Sequence, residues 1–143
     1  MSRARRAEAG SAALEAAVGL PAFMLFVALV ILGGRLAIAT QAVQASASQA
    51  ARVASIARTG ADATSAATSA ARSSLANQHL RCTTANVTVD TTGFDVPVGA
   101  PAQVSATVTC TVPLEDLSLP GIPGHRTVSA TSSSALDTFR ERR

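Results

Sequence analysis

The stretch G-S-A-A-L-E-A-A-V-G-L-P-A-F-M-L-F-V-A-L-V-I-L-G-G, residues 10–34, decides how the rest of this chain is read. From Ala16 to Gly34 it holds nineteen residues without a charge. As an α-helix they span about 28 Å, close to the hydrocarbon thickness of a bilayer. Pro21 falls six residues into the run. In a soluble helix interior it would cost about 3 kcal/mol, whereas in a membrane helix neighbours can satisfy the freed carbonyl. Glu15 stands at the mouth of the run. A carboxylate costs about 2.5 kcal/mol or more near the centre of a bilayer, so a charge in this place points to a role. Arg3, Arg5 and Arg6 precede the run closely, and only Arg35 follows it. The excess of positive charge on the first flank predicts a cytoplasmic N-terminus, with everything after Arg35 outside.

Leu36 to Arg58 reads L-A-I-A-T-Q-A-V-Q-A-S-A-S-Q-A-A-R-V-A-S-I-A-R. Alanine makes this segment strongly helical. Val43, Ala50, Val53 and Ala57 recur on one helical face. The expectation is a continuation of the membrane helix, interrupted only at Gly33-Gly34. Its small side chains suit either the close approach of a partner helix or packing on the chain's own domain. Thr59-Gly60 punctuates the helix, and Asp62 is the expected N-cap of a second helix reaching about His79. After Arg81 the pattern changes to period two with β-branched residues. Strands are predicted over Cys82–Thr91, Gln103–Val112 and Arg126–Ala135, with Gly93, Pro97, Gly99 and Pro101 marking the first turn. A loop rich in proline and glycine runs from Pro113 to Gly124. The fold class is therefore α+β: a long N-terminal transmembrane helix continuing into a helical stalk, then a small antiparallel β domain. The divisions are residues 1–10, a basic leader; 11–34, the transmembrane helix; 35–80, alanine-rich helices outside the membrane; and 81–143, the β region.

The chain has 143 residues, no Lys, Trp or Tyr, and four Phe. A core without large aromatics buries little area per residue, so modest intrinsic stability is expected. Of twelve basic residues, three lie in residues 1–10, as does one of the nine acids, Glu8; nine arginines then face eight acids. Three of the nine, Arg140, Arg142 and Arg143, crowd the C-terminus, and the others are scattered. With neither a clustered basic face nor stacking aromatics, the chain is not read as a nucleic-acid binder.

Cys82 and Cys110 both fall in the segment predicted to lie outside the membrane, at adjacent ends of an antiparallel hairpin. A disulfide between them is expected there, the alternative being two buried thiols. His79 and His125 are lone residues without ligand spacing, so no metal and no cofactor is expected. Ser132–Ser134 lacks a histidine or a Gly-x-Ser-x-Gly context and reads as strand. Asp95, Glu115 and Asp116 read as solvated turn residues, and Asn86-Val87-Thr88 as strand rather than a glycosylation site. The chain is not expected to be an enzyme. It is expected to be the substrate of one.

A basic leader, then glycine, then glutamate five residues later at the head of an apolar helix resembles the processing site of type IV prepilins. Residues 10–35 together resemble more closely the TadE-like pseudopilins of tight-adherence (Tad, or Flp) pili. The tail R-T-V-S-A-T-S-S-S-A-L-D-T-F-R, residues 126–140, is similar to the closing segment of that family's β region. The exit Gly34-Arg35 departs from the family by lacking a nearby aromatic residue, which leaves TadE and a sibling minor pilin both open. The resemblance implies cleavage between Gly10 and Ser11 by a prepilin peptidase and a subunit-register role for Glu15. It implies a single-pass protein of the bacterial inner membrane that acts in pilus assembly. The implied partners are the lipid bilayer, the major Flp pilin, a sibling pseudopilin, and the assembly platform with its ATPase.

Two rival readings stand beside this one. The first is an exported binding protein cut by a conventional signal peptidase, for which Ala37-Ile38-Ala39 or Val43-Gln44-Ala45 offers a small-x-small site. Glu15 and the length of the apolar run argue against it. The second is a permanently anchored envelope protein unrelated to pili.

Overall fold

The computed structural model describes residues 2–113 and 124–141, and side chains from Glu15 onward. The elements run in the order α1 (Ser2–Ser55), α2 (Gly60–Asn77), β1 (Thr84–Asp90), a 3-10 turn (Thr92–Asp95), β2 (Gln103–Pro113) and β3 (His125–Ala135). The fold is α+β. The chain divides into two compact units, Met1–Leu36 and Ala37–Arg143.

The first unit consists of the N-terminal part of α1. Helix runs without a break through Pro21, Gly33 and Gly34, so the expected interruption at Gly33-Gly34 is absent. Glycine in a helix interior costs about 1 kcal/mol relative to alanine, which a long helical run on both sides absorbs. Its large apolar side chains are exposed, Val18 by 69% and Phe26 by 62%. By length and composition, α1 from Glu15 onward is a candidate membrane span, with a mean hydropathy of 2.5 in its apolar window. An apolar helix that no described residue covers needs an apolar surrounding, which a bilayer supplies.

In the second unit α1 presents Ala39, Ala42, Val43, Ala47, Ala50 and Ala54, all buried. Their spacing of three and four residues is the helical repeat. Val43 and Ala50 lie on this face as expected, but Val53 and Ala57 are only half-buried. Helix α2 answers with Ala63, Ala67, Ala71 and Leu75. The buried Ser46 hydroxyl donates to the Ala71 carbonyl at 2.8 Å, and Gln78 Nε2 donates to the Ala42 carbonyl at 3.3 Å. These contacts align the helices antiparallel. The small-residue face of α1 beyond Ala37 thus packs within its own unit. A satisfied buried hydroxyl adds about 1 kcal/mol to such a contact.

Thr59, not Asp62, caps α2: its hydroxyl accepts from the Asp62 N–H at 3.0 Å. Asp62 occupies the first turn, where a carboxylate favours the helix dipole. At the other end Leu80 N–H donates to the Leu75 carbonyl, His79 N–H donates to that of Ala76, and His79 has φ of 54°. This is a Schellman stop with histidine in the left-handed position that glycine usually takes.

The sheet is a three-stranded antiparallel meander ordered β1-β2-β3. Pairing is continuous from Thr84↔Thr111 to Asp90↔Ser105, and from Gln103↔Ala135 to Pro113↔His125. Val104, Ala106, Val108 and Cys110 alternate inward and are buried, together with Val128 of β3. The other face is a hydroxyl ladder: Thr107 with Thr131 at 2.8 Å, Thr109 with Ser129 at 3.0 Å, Thr111 with Thr127 at 3.3 Å. Past β1, Asp90 accepts from the Thr92 N–H at 3.0 Å and its hydroxyl at 2.7 Å, which hold the carboxyl below its ordinary value. The 3-10 turn that follows was not expected, and it buries Phe94.

Gly93 in that turn meets the β2 backbone. A Cβ there would lie 2.1 Å from the Gln103 carbonyl oxygen and 2.9 Å from its carbon. Neither atom can swing away as a side chain would. Gly93→Ala is therefore expected to displace the start of β2 and destabilise the second unit by about 2 to 4 kcal/mol. Thermal unfolding of the detergent-solubilised chain, followed by circular dichroism, checks it; an unchanged melting temperature contradicts it.

Candidate functional site

The chemistry read from the sequence collects at the start of α1. Gly10 and Ser11 fall in its helical backbone, and their side-chain surroundings lie outside the described residues. Ser11 precedes Glu15 by four residues, so the two positions share a face about 6 Å apart along the axis. Glu15 itself is exposed. Beyond it come the exposed apolar positions from Val18 to Ile31. Among the described residues, a Cβ at Gly19, Gly33 or Gly34 would meet nothing within 4 Å beyond its neighbours and its own helix backbone. The geometry is that of a carboxylate carried at the head of an uncovered apolar helix.

The cysteines are joined. Cys82 and Cys110 form a disulfide with their Cα atoms 5.4 Å apart. Local pairing explains the meeting. Cys110 is opposite Ala85 in the β1–β2 register, and Thr83 N–H extends the ladder by donating to the Thr111 carbonyl at 2.7 Å. That brings Cys82 back along β1 to the buried Cys110. The bridge closes a loop with a sequence separation of 28. The chain-entropy estimate for a loop of that length is about 3 to 4 kcal/mol. The largest fully buried side chains in this unit are only Val43, Val104, Val108, Cys110 and Ser46, so the bridge is a large share of what holds it. Cys82→Ser is expected to lower unfolding free energy by that amount and to speed proteolysis of the second unit. Urea denaturation with and without reductant measures it: reductant should reproduce the variant in the native chain and change nothing more in the variant.

The remaining polar candidates are not brought together. His79 ends α2 and His125 opens β3. Among the described residues no group of three or more His, Cys, Asp or Glu side chains is placed to hold a metal ion. Ser132–Ser134 lies in β3, where the Ser134 hydroxyl donates to that of Ser55 at 3.1 Å. Asp95 ends the 3-10 turn, and Glu115 and Asp116 lie outside the described residues. The sequence reading did not find the C-terminal corner. There the Arg140 guanidinium donates to the Ile56 carbonyl at 2.7 Å, just past the end of α1. This contact joins residues 84 apart, and no local pattern announces it.

Residues 10–52 match the model of the family described as TadE-like protein. Over that stretch the chain is similar to TadE-like proteins. The matched segment opens at Gly10, takes in Glu15 and the apolar helix, and ends at Arg52, three residues short of the end of α1. The tail at residues 126–140 lies outside it. No curated protein and no solved structure matches the chain.

Proposed function

We propose that this chain is a minor pseudopilin of the Tad (Flp) pilus system. It is made as a precursor with a cytoplasmic leader, cut after Gly10 by a prepilin peptidase, and held in the bacterial inner membrane by α1. Its β region lies outside the membrane. It works by association with the major pilin, a sibling pseudopilin and the assembly platform rather than by catalysis. The observation that carries the reading is the TadE-like match, which begins at the proposed cleavage residue and spans Glu15 with the apolar helix behind it. A conventional signal sequence gives no reason for a glutamate at the head of the h-region, whereas a subunit lifted from the bilayer into a filament does.

Glu15 has a defined part in this scheme. Cleavage gives Ser11 a free α-amine, which is mostly protonated at neutral pH. A carboxylate alone at the edge of the hydrocarbon is unfavourable, and one paired with an ammonium is much less so. The amine of a neighbouring subunit then sets the axial register between apolar helices. The first test is genetic. Deleting the gene in a piliated host is expected to remove surface pili, and the wild-type chain supplied in trans is expected to restore them. Normal piliation in the deletion strain contradicts the proposal.

A further inference from the structure

The sheet ends in two unguarded edges. β1 and β3 each pair only with β2, so both are edge strands. Among the described residues, no group outside the sheet bonds to the backbone of Thr84–Asp90 or His125–Ala135. Edge strands that must stay alone are usually blunted by charges, prolines or bulges. Pairing with β2 runs through both strands without a bulge. From Thr127 to Ala135, β3 holds no charge, proline or glycine. The single charge of β1 is Asp90, at its end. Each edge thus offers a row of amide and carbonyl groups to a further strand.

The hydroxyl face of the sheet says which strand fits. Thr84, Asn86 and Thr88 of β1 stand opposite Thr111, Thr109 and Thr107 of β2. Those three β2 hydroxyls all bond away from β1, to Thr127, Ser129 and Thr131 of β3. The exposed side chains of Thr84, Asn86 and Thr88 are left without a hydrogen-bond partner among the described residues. β1 and β3 both run antiparallel to β2 and are therefore parallel to each other. The register through β2 sets Thr84 in line with Thr127, Asn86 with Ser129 and Thr88 with Thr131. A copy laid alongside on those lines brings hydroxyls to the row that lacks them. On the other face the same placement sets Ala85 beside Val128 and Val87 beside Ala130, apolar against apolar.

We propose that β3 of one copy pairs in parallel with β1 of a second copy, with Thr127, Ser129 and Thr131 beside Thr84, Asn86 and Thr88. Backbone groups on both edges gain partners, and the hydroxyl ladder runs on from one sheet into the next. Pairing of like edges, β1 with β1 or β3 with β3, closes one edge and leaves the other open. Head-to-tail pairing closes both with a single kind of interface. The contact is heterologous and can repeat along a line of subunits. It does not rest on the pilus reading, and a deletion strain that still makes pili would leave it standing.

The test uses two full-length preparations, one carrying Asn86→Cys and the other Ser129→Cys. They are mixed in phosphatidylcholine vesicles containing phosphatidylglycerol and treated with bis(maleimido)ethane, which leaves the native disulfide alone. Side chains abreast on neighbouring strands have Cβ atoms about 5 Å apart, so a link between the peptides holding the two new cysteines is expected. Replacing Ser129→Cys with Ser133→Cys moves the thiol about 13 Å along β3 and should lower the yield about tenfold. A charge pair then tests the row. With Thr88→Asp added to the first preparation, Thr131→Asp in the second should give about fivefold less link than Thr131→Lys, because like charges abreast repel and opposite ones attract. The Thr88→Asp chain is common to both arms, so its own folding cannot produce the difference. A Ser133→Cys yield equal to that of Ser129→Cys, links as strong within one preparation alone as in the mixture, no link at all, or equal yields from the two charge sets each overturns the proposal.

Discussion

Gly10→Val is expected to leave the chain as a full-length, membrane-bound precursor. A peptidase that cuts at the head of a membrane helix must bring its catalytic groups against the scissile backbone, and glycine alone presents no Cβ there. Valine adds two branches at that point. The helical backbone of α1 begins at Ser2 and includes Gly10, so cleavage also requires this turn to open. Glycine lowers the cost of opening by about 1 kcal/mol relative to alanine, and β-branched valine by somewhat less, so the added side-chain bulk at the scissile bond is what separates the two. The effect is close to all or none. Immunoblots of membranes from cells carrying the variant should show one band larger than the mature protein by ten residues. A normal mature band places the processing site elsewhere.

Glu15→Gln is expected to separate processing from assembly. The substitution keeps the length and hydrogen-bonding capacity of the side chain and removes only its charge. Gly10 and Ser11 are untouched, so cleavage should proceed. What is lost is the partner of a neighbouring subunit's amine, and with it the register between apolar helices. A deletion strain complemented with Glu15→Gln should therefore contain mature protein yet lack pili by electron microscopy. If Glu15 merely snorkels to the headgroups, the same strain is piliated at the wild-type level, and the register role is rejected. Reading cleavage and piliation in the same cells keeps a failure of expression from passing for a failure of assembly.

Much of the architecture was legible because local rules decide it. The apolar run from Ala16 to Gly34 could only be a long buried or membrane helix, and the β-branched alternation after Arg81 could only be strands. The three strands lie within two residues of the expected ends, and the two cysteines meet because an antiparallel hairpin returns the chain beside itself. Errors arose where two local signals competed. Both Thr59 and Asp62 can cap a helix, and the threonine won by standing one residue before Gly60 while Asp62 gives it an N–H. Gly33-Gly34 reads as a break, yet among the described residues nothing outside the helix comes within 4 Å of a Cβ placed at either glycine, and the backbone runs on.

What stayed hidden depends on contacts between distant residues. The close approach of Gly93 to Gln103, the burial of Phe94, and the bond from Arg140 to the Ile56 carbonyl have no signature in a window of ten or twenty residues. Exposure of Phe139 is hidden for the same reason. The candidate site divides the same way. Glu15 was legible because a charge at the head of an apolar run is anomalous by itself. The C-terminal corner was not, because its members are separated by more than eighty residues.

The first residue of the mature chain separates a pseudopilin from an exported protein and from a simple anchor. The direct measurement is mass spectrometry of the chain purified from membranes of its piliated host, with the N-terminal peptide sequenced and the intact mass determined. A chain starting at Ser11 is the predicted result. A chain starting near Thr40 or Ser46, as conventional signal cleavage would give, or one retaining Met1 as a simple anchor would, contradicts it.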